Sequence, residues 1–264
     1  MPRGLDHIVH AVRDLDAAAV RYRELGFTVG QRNRHPWGTH NHIIQFPGFF
    51  IELITLAEPD KLSDDIFSAN FGIYNRDFTA RHEALSMLVL ESTDSAGDVA
   101  AFETAGIAAS GSTRFDREGK RPDGTAVHVA FSLAFAKDKT APEIGFFTCQ
   151  QHYPENFWNP AFQKHDNGVT GIAAVVIVAD EPARHRDFLT AFTGALNVTA
   201  EGEGYRLGLP RGAIEVMTPD AYAVRYGLDS PDTAGGPRLA AMRFVGTLPR
   251  SPVTALGAGL IFGR

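Results

Sequence analysis

Apolar and polar positions fall into a strand-helix-strand rhythm from the start of the chain. Gly4 to Val12 is rich in apolar residues, and Asp14 then offers an N-cap to LDAAAVRYRELGF, where Leu15, Ala19, Tyr22 and Leu25 recur at helical spacing. Gly26 supplies the left-handed stop. Phe27 to Arg32, His40 to Phe46 and Phe49 to Leu56 read as three further strands, with Pro47-Gly48 as the turn between the last two. The predicted order is βαβββ.

The same order returns. Leu85 to Glu91 is followed by Asp94, the helical segment SAGDVAAFETAGI and Gly106, which reproduces the Asp14-to-Gly26 interval. Strands around Ser110 to Phe115, Val127 to Phe135 and Glu143 to Gln150 complete this second unit, with Arg121-Pro122-Asp123-Gly124 marking a hairpin. A less regular third unit starts at Gly171 to Val178 and continues with Asp180 as cap to a helix through Phe192. It ends in YRLGLP and AIEVMTP, joined by the turn Pro210-Arg211-Gly212. The residues after Pro219 read as a shorter fourth fragment with a Gly-rich tail. Each helix is followed by several strands, which favours α+β architecture with mixed sheets and helices on the outer face. The expected division is 1–165, holding paired units at 1–60 and 82–152, and 166–264 for the third unit and tail.

Composition narrows the class. The 264 residues are 44% hydrophobic and 21% charged, enough to bury a substantial core without staples. The single cysteine, Cys149, excludes an intramolecular disulfide. The opening MPRGLDHIVHAV holds no signal-peptide core, so a cytoplasmic location is expected. A net charge of −6 and the lack of a long apolar run disfavour nucleic-acid and membrane partners.

Chemistry concentrates in the first unit. Alternation along the first strand puts His7 with Val9 and Ala11 on one face and His10 on the other, so one histidine at most faces the concavity. FFIELITL places Glu52 among Phe50 and Ile54, a carboxylate that burial obliges to find an arginine, hydrogen-bond donors or a metal ion. In HPWGTHNH, His40 and His42 share one strand face and Asn41 takes the other. Trp37 and Trp158 are candidate apolar walls or plain core. Cys149 reads as a small buried thiol before it reads as a nucleophile. RFDREGKRPDG carries Arg114, Arg117, Lys120 and Arg121, but its interspersed acids point to a solvated hairpin.

LDHIVHAVRDLDAAAVRYRELGF, HPWGTHNHIIQF and FFIELI together resemble the vicinal-oxygen-chelate superfamily, particularly its glyoxalase-like domains. The resemblance is closest over about residues 4 to 60. It extends to FFTCQQHYPENFW and HDNGVTGI. It implies tandem βαβββ modules forming a cup whose ligands come from the first and last strands of each module, which here are His7 and Glu52. It also implies that HPWGTHNH lines the cup. Placing the second unit on the first sets Met87 opposite His7 and Phe146 or Phe147 near the place of Glu52. The third unit keeps Glu215, with Gly171 or Ala173 where a first-strand ligand is expected. His7 and Glu52 are thus a half-site. The metal candidates are His7, Glu52 and His152, with His35, His40 and His42 as other completions, and such a set suits Zn, Fe, Ni or Mn.

The function expected from this resemblance is a small-molecule enzyme, with a divalent metal as its candidate cofactor and lyase, isomerase or dioxygenase chemistry on a vicinal-oxygen substrate. Glu52 is the catalytic candidate, and Asn41, His42, Cys149 and Gln151 are substrate contacts. The alternative is a metal-free small-molecule binding or resistance protein of the same fold, which Met87 and the phenylalanines favour. A lactoylglutathione lyase is not the default, because the second unit lacks a matching ligand pair. The irregular later units leave room for a homodimer.

Overall fold

Alternation along the first strand gives both of its faces to protein interior. β1 (Leu5–Ala11) is buried along its whole length, as are β3 (Thr39–Phe46) and most of β4 (Phe49–Leu56). The structure, a computed structural model, describes residues 1–120, 124–246 and 250–263. Between β1 and a short β2 (Asn33–Arg34) runs α1 (Leu15–Glu24), capped by the Asp14 carboxylate, which accepts the Asp16 and Ala17 N–H groups at 3.0 and 2.9 Å. A π-helical turn (Ser68–Ile73) and α2 (Tyr74–Arg81) lead to the second unit, which comprises β5 (Ala84–Ser92), α3 (Ser95–Thr104), β6 (Thr113–Lys120), β7 (Ala126–Ala136) and β8 (Gly145–Gln151). Asp94 caps α3 through the Gly97 N–H at 3.0 Å. Gly26 and Gly106 follow the two helices at φ +85° and +69°, a conformation that disfavours any other residue type.

After α4 (Pro154–Phe157) come β9 (Val169–Val178), α5 (Arg186–Thr193), β10 (Asn197–Glu201), β11 (Gly204–Gly208) and β12 (Ala213–Met217). The chain ends with α6 (Pro219–Tyr226), β13 (Arg238–Gly246), β14 (Val253–Ala255) and β15 (Ala258–Gly263). Two mixed, curved sheets result, ordered β2-β3-β4-β1-β5-β8-β7-β6 and β10-β11-β12-β9-β13-β15-β14. Each joins two units through an antiparallel pair, β1 with β5 and β9 with β13. The fourth fragment therefore completes the second sheet with three strands.

Register identifies equivalent positions. Ile8 lies opposite Leu88, so the local twofold relates His7 to Met87 and Val9 to Val89. Val9 pairs with Glu52 and Val89 with Phe147, which puts Phe147, not Phe146, in the place of Glu52. In the third unit Val176 pairs with Glu215, so Ala174 stands where His7 does, rather than Gly171 or Ala173.

One core lies between the sheets, with Ile8, Phe46, Leu88 and Phe102 meeting Val175, Phe192, Leu239 and Phe244. There α1, α3 and α5 pack on the outer faces. The inner faces are covered differently. Phe67 and Phe71, around the π-helical turn, and Phe78 of α2 rest on Val9, Met87 and Phe147 in the first sheet, while Tyr222 of α6 packs on Val176 and Met217 in the second.

Two local expectations change. Phe27 to Arg32 is not a strand, because the Thr28 N–H goes to His165 Nδ1 and its hydroxyl to the Lys164 carbonyl, leaving only Asn33–Arg34 to pair with β3. Asp180 does not cap a helix; it accepts a hydrogen bond from Thr233, and the helix starts instead with a 3-10 turn at Pro182–His185. The hairpin expected at Arg121-Pro122-Asp123 lies outside the described residues. Among the described residues no helix is long and apolar enough to cross a membrane.

Candidate active site

A bulge in β1 prepares the first group. Leu5 lies opposite Leu90 and His7 opposite Val89, so Asp6 is an extra residue and its carboxylate comes to sit beside the ring of His7. His7 Nδ1–H donates to Asp6 Oδ1 at 2.5 Å, and Gln151 Nε2 donates to Asp6 Oδ2 at 3.1 Å. This fixes the tautomer and leaves the Nε2 lone pair of His7 directed inward. The ring is further held by Phe50, stacked at 4.2 Å, and by the edge contact of Phe147 at 5.4 Å.

Glu52 projects from β4 beside it. The carboxyl is buried, at 5% exposure, and burial raises its pKa against the opposing pull of His7, the Asn41 hydrogen bond and Arg117. Its Oε1 accepts the Asn41 amide at 2.5 Å, and Asn41 in turn accepts from Asn33 at 3.0 Å. His7 Nε2 stands 4.0 Å from Oε2, and His35 Nε2 stands 3.9 Å from Oε1. His35 reaches this point because its Nδ1 bonds Thr39 Oγ1 at 2.9 Å and its ring stacks on Trp37 at 4.7 Å. Burial, with the charges of Arg117 and His40, lowers its pKa to about 3, so the ring is a neutral donor at ordinary pH.

These groups line an inner cavity of about 50 Å3, walled by Trp37, Phe71, Phe115, Phe131 and Phe147. Past Ile43, Arg117 and Phe157 it opens into a cleft of about 630 Å3 between the two edges of the sheet, β2 and β6. The inner space holds a few atoms, and the bulk of any substrate belongs in the cleft.

The sequence candidates are sorted by this geometry. His7, Glu52, Asn41 and Cys149 line the cavity, and Gln151 acts one step back through Asp6. His42 does not face the cup: it is on the strand face shared with Ile44 and Phe46, donates to the Gly30 carbonyl at 2.7 Å and approaches Asp16. His40 bonds Glu58 at 2.8 Å, and His10 bonds Tyr22 and the Leu256 carbonyl behind the sheet. His152 is also turned away, bonded to Ser132 at 2.8 Å, where β7 alternation sends Ser132 opposite to Phe131 and Leu133. His35 takes the position assigned to His152 as third nitrogen or oxygen donor. Asp6 and Arg117 are further groups that sequence reasoning did not place here.

Two groups of donor atoms share His7. In one, His7 Nε2, His35 Nε2 and the Glu52 carboxylate converge. Ligand atoms about 2.1 Å from one ion stand at most about 4.2 Å apart; His7 and His35 each come within that span of Glu52, but of its two different oxygens, Oε2 and Oε1. In the other, Asp6, His7 and Cys149 bring their donor atoms within 4.8 Å of one another. That second set is the one whose three donor atoms all lie mutually close, but its own bonding opposes ligation. Asp6 and His7 are already bonded to each other, and burial plus the charges of Asp6 and Glu52 keeps the Cys149 thiol protonated.

The paired βαβββ units, the parallel first and last strands and the inward histidine and glutamate define the vicinal-oxygen-chelate fold. Residues 5–193 match the family model described as "Glyoxalase-like domain", and the chain belongs to that family. Among solved structures, it is similar to a hypothetical protein from Staphylococcus aureus, at TM-score 0.75 and 12% identity over 99% of each chain. It also resembles a triple mutant of 4-hydroxymandelate synthase from Streptomyces coelicolor, at TM-score 0.54 and 12% identity over 92% of this chain and 71% of that one. Likeness at these identities establishes the fold. No curated protein sequence matches the chain.

Proposed function

We propose that the protein is a divalent-metal-dependent enzyme acting on a small vicinal-oxygen substrate in the first sheet's cup, with lyase, isomerase or dioxygenase-type chemistry. The observation that carries this reading is the meeting of two inward imidazole Nε2 atoms with the two oxygens of one buried carboxylate. His7, His35 and Glu52 would hold the ion, and Zn, Fe, Ni and Mn all suit that donor set. When bound, such an ion supplies Lewis-acid polarisation of a substrate oxygen.

The chain's own groups supply the rest. Asp6 keeps His7 in one tautomer and orientation. Asn41 holds Glu52 through Oε1 and leaves Oε2 toward the cavity, where it would accept a proton from a substrate carbon or oxygen and return it. The aromatic walls exclude water, which strengthens each of these interactions. At the places of His7 and Glu52 the second unit carries Met87 and Phe147, which offer no oxygen or nitrogen ligand, so the ligand set is drawn from the first unit.

Isothermal titration of chelator-treated protein with Mn(II) and Zn(II) tests the assignment. His35→Gln is expected to weaken binding by at least tenfold and His152→Gln to leave it within twofold. The reverse order would move the site to the far side of β8, and no binding by the unmodified protein would leave the metal-free binding protein as the better reading.

A further inference from the structure

Arg117 was the residue least expected in the cup, because the acids around it read as a solvated hairpin. The structure turns it inward. Phe115 and Arg117 fall on one face of β6, and both line the inner cavity. Arg117 interacts electrostatically with Glu52 and with His35, yet no carboxylate oxygen lies within ion-pair distance of its guanidinium among the described residues. Its Nε is buried without a hydrogen-bond partner. Burial lowers its pKa and the charge of Glu52 works against that shift.

A second donor in the same cavity is equally idle. Trp37 is 4% exposed, and its indole Nε1 is buried with no partner. Its ring stacks between His35 and Phe67, both at 4.7 Å, and the edge contact with Phe115 at 5.1 Å ties it to the strand that carries Arg117. Two orphaned N–H donors in one small cavity, one of them cationic, leave a deficit of acceptors. Buried donors without acceptors destabilise the empty site, a cost that a complementary ligand recovers. The group that satisfies a planar guanidinium and an indole together is an anionic oxygen pair.

We propose that Arg117, at the neck between the inner cavity and the cleft, and Trp37 of the inner cavity form a carboxylate-binding site, so that the substrate is a small monocarboxylate with an apolar or aromatic body. The carboxylate seats on Arg117, on the side of the inner cavity that also holds Glu52 and His7, and the body lies outward in the cleft beside Phe157. This deepens the enzyme reading by naming its substrate class, but carboxylate binding does not itself require the metal.

Benzoate and benzamide, which differ in charge and little in shape, are the probes. Binding to chelator-treated protein is followed by tryptophan fluorescence and calorimetry. Benzoate is expected to bind at least tenfold more tightly than benzamide. Arg117→Gln should erase that preference, and Arg117→Lys should retain a weakened one. Trp37→Phe should weaken benzoate about threefold or more by calorimetry, and the exposed Arg184→Gln should change nothing. Equal affinity for the two probes, no benzoate binding at millimolar concentration, or an unaltered preference in a folded Arg117→Gln would overturn the proposal. Benzoate binding by a protein that takes up no metal would uphold it while removing the metal-enzyme reading, and metal uptake without benzoate binding would do the opposite.

Discussion

Glu52 and Glu215 occupy the same place in two βαβββ units, each opposite a valine of the first strand and each buried, at 5% and 1% exposure. Their surroundings differ. Glu215 accepts the Tyr226 hydroxyl at 2.6 Å and Arg243 at 2.9 Å, with Arg206 and Arg225 at 3.8 Å, and α6 lies over that face of the sheet. Ala174 replaces the histidine, and Arg243 pairs with Ala174 across β9 and β13. Glu52 has one amide donor, two histidines held about 4 Å away and an arginine beyond ion-pair reach. One fold position thus serves two purposes. Where the protein itself supplies the countercharge, the carboxylate is a structural member; where it keeps the histidines and the arginine at a distance, the carboxyl lines a cavity with no ion-pair partner nearer than 3.9 Å among the described residues.

Three substitutions sharpen that contrast. The largest expected effect concerns His10, three residues from His7 and tied at both nitrogens behind the sheet. Burial lowers its pKa from 6.5 to about 4. The unfolded chain therefore takes up a proton first, and stability present above pH 6.5 is lost as pH falls toward 4. The share of His10 in the loss across that interval is about 3 kcal/mol, so His10→Gln should lose less stability than the unmodified protein by about that amount in urea unfolding at the two pH values, with the share of buried His35 remaining in both. Equal pH dependence in both proteins would mean that His10 is not held neutral by the fold.

Glu215→Ala comes next. It strands Arg243 and the Tyr226 hydroxyl, and the partial exposure of the arginines tempers the cost to about 2–3 kcal/mol of stability with metal uptake unchanged. Unchanged stability would show that Glu215 is not the structural counterpart described. The smallest effect belongs to Asp6→Asn, which keeps the shape but loses the charge that orients His7. Metal affinity should fall about 10- to 100-fold with stability nearly intact, and an affinity within twofold of the original would remove Asp6 from the site.

Much of this fold was legible because local signals agreed. Asp14 with Gly26 and Asp94 with Gly106 bracket two helices of the same length, and the apolar alternation on either side leaves few other pairings. Glu52 stood out as a carboxylate in an apolar strand. The rest depended on events that periodicity does not encode. Asp6 joins His7 only because of the β1 bulge, and β-alternation alone sends it to the other face. His35 lies in the loop before β3, where stacking on Trp37 decides its direction. Arg117 was masked by neighbouring acids, of which Asp116 pairs outward with Arg114 at 2.9 Å and frees it to turn inward. The segment Ser68–Arg81 carries Gly72 near its middle and begins as a π-helix, so no helical stripe announced it.

The most direct test of the contrast is the metal content of three purified proteins after reconstitution with Mn(II), Fe(II), Ni(II) or Zn(II): unmodified, Glu52→Gln and Glu215→Gln. The expected result is close to one ion per chain in the first and third and less than one-tenth of that in the second. No ion in the unmodified protein, or equal loading in all three, would contradict the assignment of the first sheet's cup as the working site.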